Sequence, residues 1–141
     1  MSANPFADWS SHVFAAGRLE YILSTNTATL YSVVFEARGI KGEPAFRSNM
    51  LAQLRAAMIE DGFEFHYKRL IDVESDSVSY SKAFSRGVIG SMNDMVELAT
   101  YSLEVQEKSP AETSRIVNGT PFSVLEQTSP RQAFQHLSFR R

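Results

Sequence analysis

The chain has 141 residues, 14 Lys and Arg against 16 Asp and Glu for a formal net charge of −2, and 43% hydrophobic content. That length suits one domain with a single sizeable core, and the composition excludes a disordered or collagen-like chain. The charge balance gives no electrostatic case for bulk binding to nucleic acid or anionic membranes, and the lack of Cys excludes disulfides, thiolate metal sites and a cysteine nucleophile. The longest apolar runs, Val13–Ala16 and Ala56–Ile59, fall far short of the ~20 residues that span a bilayer. Residues Met1 to Phe6 carry neither the basic nor the apolar region of a secretory signal. The expectation is one cytoplasmic domain over residues 1–141 with no membrane association.

In chain order, Ser11–Ala16, the turn Gly17-Arg18 and Leu19–Ser24 read as a β-hairpin. Thr25-Asn26-Thr27 is a turn. The next segment, Leu30–Phe35, reads as a third strand from its β-branched and aromatic content, with a short helix capped at Thr27 as the rival reading. From Pro44 to Asp61 the period changes: Phe46, Met50, Leu54, Ala57 and Met58 fall on one helix face, and Gly62 suits the stop. Phe63–Tyr67 and Val78–Ser81 alternate and read as a second hairpin. A second long helix is expected over Ser91–Gln106, with Met92, Met95, Val96, Ala99 and Leu103 as its apolar stripe. A short helix over Ala111–Val117 follows Lys108-Ser109-Pro110. Residues from about 128 onward, with Arg131, Arg140 and Arg141 and no acid, read as a mobile basic tail. The predicted fold is α+β: a two-layer sandwich, a mostly antiparallel sheet of about five strands with two main helices on one face.

Two local clusters carry candidate chemistry. Arg86-Gly87-Val88-Ile89-Gly90-Ser91-Met92-Asn93-Asp94 places a guanidinium and two glycines beside an expected helix start, where free N–H groups attract anions. The structural alternative is that Gly90 turns, Ser91 caps the helix and Asp94 complements its dipole. The spacing matches neither a Walker A loop nor the dinucleotide fingerprint. Asn26-Thr27-Ala28-Thr29-Leu30-Tyr31-Ser32 lies between apolar segments, where its polar groups either line a cleft or satisfy a turn.

Elsewhere the signals are weaker. His12, His66 and His136 are scattered with no metal-ligand spacing, and His66 is the one general-base candidate on a regular element. Glu60, Asp61, Asp72, Glu74 and Asp76 read as a solvated acidic rim. Phe63, Phe65, Tyr67 and Tyr80 fit core packing better than base stacking, since only Lys68, Arg69 and Lys82 accompany them. No metal site and no cofactor are expected.

Thr25-Asn26-x-x-Thr29-Leu30-Tyr31-Ser32 and Arg86-x-Val88-Ile89-Gly90-Ser91-Met92-Asn93-Asp94 together resemble a family of small uncharacterised bacterial proteins frequent on plasmids and other mobile DNA. The resemblance spans roughly Trp9 to Pro121, with Asn118 and Pro121 matching a late Asn-x-x-Pro. The chain departs from the family pattern at Ala83, Ser85 and Gly87, where Thr, Asn and Ser are expected. The resemblance implies no activity, but it singles out Asn26, Thr29, Tyr31, Arg86, Ser91, Asn93 and Asp94 as candidate cleft residues. The first functional expectation is an interaction or regulatory module, encoded by mobile DNA, that binds and inhibits a protein partner. The alternative is a small enzyme acting on a phosphate-bearing nucleotide or nucleic-acid substrate. A nucleic-acid-binding module ranks third.

Overall fold

A computed structural model describes residues 8–63, 79–80, 86–122, 125 and 128–136. The chain is α+β. Strands β1 (Asp8–Ala16) and β2 (Leu19–Asn26) form the expected hairpin across Gly17-Arg18, and β3 (Ser32–Glu36) pairs antiparallel to β2. A two-residue strand, β4 (Ser79–Tyr80), pairs parallel to the start of β1, giving the order β3-β2-β1-β4. The helices are α1 (Gly42–Glu60), α2 (Arg86–Glu104), α3 (Pro110–Asn118) and α4 (Pro130–Gln135).

The strand reading of Leu30–Phe35 holds, although β3 begins two residues later. Of the second hairpin, only Phe63, Ser79 and Tyr80 are among the described residues. Phe63 lies in no strand, and Ser79–Tyr80 joins β1. The rest of that expectation falls outside the described residues.

The layer arrangement differs from the two-layer expectation. Side chains alternate across a strand, and the apolar residues of β2 and β3 divide between two cores. Ile22, Val33 and Phe35 pack with Trp9 and with Met50, Leu54 and Met58 of α1. Tyr21, Leu23 and Val34 pack with Phe14 of β1 and with Met92, Met95 and Ala99 of α2. The two main helices therefore cover opposite faces of the sheet. The physical reason is legible in the runs Tyr21-Ile22-Leu23 and Val33-Val34-Phe35, which are continuously apolar rather than alternating, as strands buried on both faces are.

Residues 128–136 also depart from expectation, for they are packed rather than a free tail. Ser129 and Gln132 form a reciprocal capping box at the start of α4, with Pro130 in its first turn. Phe134 is fully buried, its ring 4.7 Å from that of Tyr31 and 5.6 Å from that of Phe63. A buried aromatic side chain of this kind holds a segment by several kcal/mol.

β3 is an edge strand, and α3 closes its outer edge. Asn26 N–H donates to the Tyr31 carbonyl at 2.8 Å and Ala37 N–H to the Glu20 carbonyl at 3.0 Å, so odd-numbered residues of this strand face β2. The backbone groups of Ser32 and Val34 consequently point outward. Ser32 N–H donates to Asn118 Oδ1 at 2.8 Å, and Asn118 Nδ2 donates back to the Ser32 carbonyl at 2.9 Å. Val34 N–H donates to Ser114 Oγ at 2.8 Å, and that hydroxyl donates to the Pro110 carbonyl at 2.9 Å.

The fit is geometric. Positions four apart on a helix rise about 6 Å, and alternate residues of a strand repeat at about 6.6 Å. Ser114 and Asn118 thus stand in the places of a neighbouring strand's backbone. An open edge would leave those groups unpaired and invite association.

Removing the amide orphans one buried donor and one buried acceptor. Asn118→Ala should therefore lose about 2–4 kcal/mol in urea unfolding. An unchanged midpoint would show that the β3 edge does not depend on this side chain.

Candidate functional site

The segment Asn26–Ser32 folds as a closed polar turn. Asn26 Oδ1 accepts from the Thr29 N–H at 3.1 Å and from the Thr29 hydroxyl at 2.8 Å, while Thr29 Oγ1 accepts from the Tyr31 N–H at 3.2 Å. Leu30 N–H donates to the Asn26 carbonyl at 2.7 Å. These bonds hold Leu30 at φ +65°, a left-handed conformation that costs a branched residue roughly 1–2 kcal/mol. Leu30 and Tyr31 thereby enter different cores. Ser32 Oγ lies 2.8 Å from both Thr25 Oγ1 and the Leu30 carbonyl. Asn26, Thr29, Tyr31 and Ser32 are all buried. Of the two sequence readings, the turn describes Asn26 and Thr29.

Tyr31 links the core to the surface. Its hydroxyl donates to Asp61 Oδ2 at 2.6 Å, and Asp61 Oδ1 accepts from Arg131 Nε at 3.1 Å. Burial first, then the hydrogen bond and negative charge of Asp61, push the phenol pKa far above its ordinary value near 10. Asp61 is thus no solvated rim acid: its side chain is only 9% exposed.

Beyond Asp61 opens a basin between the end of α1, the α3 region and α4, lined by Glu60, Asp61, Lys108, Glu112, Arg115 and Arg131. Arg115 pairs with Glu60 at 3.0 Å, and Arg131 Nη2 also donates to the Arg115 carbonyl at 3.0 Å. Glu112 accepts from Ser109 in the α3 capping box, which, ahead of Lys108 and Arg115, lowers its pKa. A smaller and more enclosed groove between α1 and α3 adjoins the basin. Val33, Ala57, Ala111 and Asn118 line it, and it shares Glu60, Asp61 and Arg115 with the basin.

The other candidates do not join this place. Helix α2 starts at Arg86, so Gly90 and Ser91 lie inside it and Ser91 is not its N-cap. Asn93 and Asp94 are exposed, whereas the flanking Met92 and Met95 are buried. The Arg86 side chain lies outside those described. Neither the basin nor the groove is lined by Asn26, Thr29, Tyr31, Ser91, Asn93 or Asp94. His12 and His136 are exposed, and His66 is outside the described residues. Among the described residues no group of His, Asp and Glu could hold a metal ion. No helix among them is long and apolar enough to cross a membrane.

The basin is not legible in the sequence, where Arg131 reads as part of a free tail and Asp61 as part of a solvated rim. Ser129-Pro130-x-Gln132 is the available signal, since it repeats the Ser109-Pro110-x-Glu112 start of α3.

Tyr31→Phe should lose about 1.5–3 kcal/mol, the range for a hydrogen bond to a charged partner. Because folding raises the Tyr31 pKa, its contribution is complete below about pH 10 and declines as pH rises beyond it, by up to about 1.4 kcal/mol per pH unit. Alkaline unfolding curves should show that slope in the wild type and a shallower one in Tyr31→Phe; equal slopes would contradict it. Ser91→Ala should leave stability unchanged or raise it by up to about 0.5 kcal/mol, since Ala is the better mid-helix residue. A loss of about 1 kcal/mol in the same assay would instead indicate a cap.

No curated protein and no solved structure matches the chain. One family model, described as a domain of unknown function, DUF6933, matches residues 1–133 and so takes in the sheet, the Asn26–Ser32 turn, α1 to α3 and Arg131. The chain belongs to the DUF6933 family.

Proposed function

We propose that the protein is a non-catalytic interaction module, encoded by mobile DNA, that binds a protein partner through the basin and inhibits or regulates it. One observation carries this reading: the polar side chains of the Asn26–Ser32 motif are engaged in internal hydrogen bonds. Thr29 bonds to Asn26, Tyr31 to Asp61, and the Ser32 hydroxyl to the Leu30 carbonyl. A nucleophile or general base must reach substrate, and these groups are turned inward.

The exposed chemistry of the basin is balanced ion pairs with an adjoining apolar groove, a combination suited to a protein surface. It suits a nucleotide poorly. Glu60, Asp61 and Glu112 stand among Lys108, Arg115 and Arg131, so a multiply charged phosphate would meet a carboxylate beside every cation.

The test uses the full chain immobilised against bacterial lysate, alongside a Lys108→Glu/Arg115→Glu variant of matched thermal midpoint. The reading predicts a saturable protein partner whose capture falls at least about tenfold in the variant, the effect of unfavourable charge at an interface. It also predicts no thermal shift with nucleotides or phosphate at 1 mM. A ligand present at 100 times its Kd would add about 2.7 kcal/mol and raise the midpoint by several degrees. Such a shift, or partner capture indifferent to the charge reversal, would contradict the proposal.

A further inference from the structure

We infer that the basin is built to receive a carboxylate side chain, so that the partner presents an Asp or Glu to Arg131, Arg115 and Lys108; this rests on the interaction-module reading. Every acid of the basin already has an internal donor. Asp61 accepts from the Tyr31 hydroxyl and Arg131 Nε, Glu60 from Arg115 at 3.0 Å, and Glu112 from the Ser109 N–H and hydroxyl at 3.3 and 3.2 Å.

The cations are under-used. A guanidinium has five N–H groups. Among the described residues, Arg131 engages its Nε and Nη2, leaving Nη1, and Arg115 engages Nη2 alone. Their side chains are 33% and 51% exposed, so the remaining edges are reachable. The Lys108 ammonium makes no hydrogen bond among the described residues. Among the described residues these remaining N–H groups have no acceptor in the basin.

Each remaining N–H can donate a charge-assisted hydrogen bond to a carboxylate, and a single negative charge adds least repulsion against the resident acids. Half-buried Ile116 at the basin wall offers an apolar contact for the methylenes of such a side chain.

A second observation concerns Gly119. A Cβ at this position would lie 3.2 Å from Arg131 Nη1, so glycine lets the free end of the fork lie flat against the end of α3. Its φ of −94° is open to any residue, which makes the absence of a side chain a matter of space rather than of backbone. Gly119→Ala would push Arg131 Nη1 aside by a few tenths of an ångström without changing any charge.

The experiment observes the arginine side-chain N–H resonances of the full-length protein at fixed ionic strength. The probes are a blocked Ala-Glu-Ala-Glu-Ala peptide, its Gln counterpart and inorganic phosphate. The inference predicts a saturable shift of the Arg131 and Arg115 signals with the Glu peptide and none with the Gln peptide. Lys108→Gln and Gly119→Ala should each weaken the Glu peptide about three- to tenfold, the usual scale for one charge or hydrogen bond at a binding site. Equal shifts by the Glu and Gln peptides, or no shift with either, would overturn it, as would saturation by phosphate but not by the peptide. Partner capture that stays sensitive to Lys108→Glu/Arg115→Glu, with no response to the Glu peptide, would remove the carboxylate and leave the interaction module standing.

Discussion

The outer edge of β3 is the constraint on which the arrangement depends. Ser32 and Val34 are buried and turn their backbone groups away from β2. Asn118 and Ser114, one helical turn apart, supply the missing partners. Because these contacts join residues 80 and 86 positions apart, they fix α3 on the sheet rather than merely nearby. Once α3 is fixed, Arg115 meets Glu60 at the end of α1, and the Arg115 carbonyl meets Arg131 of α4. The basin is a consequence of closing the sheet edge.

Tyr31 is the second organising element, and it depends on the first. The turn that delivers it accepts backbone strain at Leu30, balanced by the Asn26–Thr29 bonds and by burial of Leu30 and Tyr31 in different cores. The phenol then connects a wholly buried ring to Asp61, the acid that also holds Arg131. The motif residues thus shape the basin from behind without lining it.

Much of the local structure was legible in the sequence. The β1–β2 hairpin, the stripe of Met50, Leu54 and Met58, and the Ser109-Pro110 helix start all follow from periodicity and capping. The start of α2 was not, because Gly90 reads as a turn residue and Ser91 as a cap; the helix runs through both, so tertiary context overrides the weak penalty of glycine in a helix. The coverage of both sheet faces was written in Val33-Val34-Phe35, but an apolar run is also compatible with a buried helix segment. The candidate site was largely illegible. Asn26, Thr29 and Tyr31 stand out as polar groups between apolar segments, yet nothing local distinguishes a cleft from a turn. The pairings Asn118–Ser32 and Arg131–Asp61 bridge 86 and 70 residues, a range over which a single sequence carries no register.

Native-state hydrogen exchange at the Ser32 and Val34 amides tests the central claim most directly. If α3 closes the β3 edge as described, both amides open only with the sheet, and their protection matches that of the inward-facing Val33 and Phe35 amides bonded to β2. Exchange of Ser32 and Val34 that is much faster than that of Val33 and Phe35 would mean that α3 detaches while the sheet stays intact. The edge, and the basin built on it, would then not be the fixed element that this account requires.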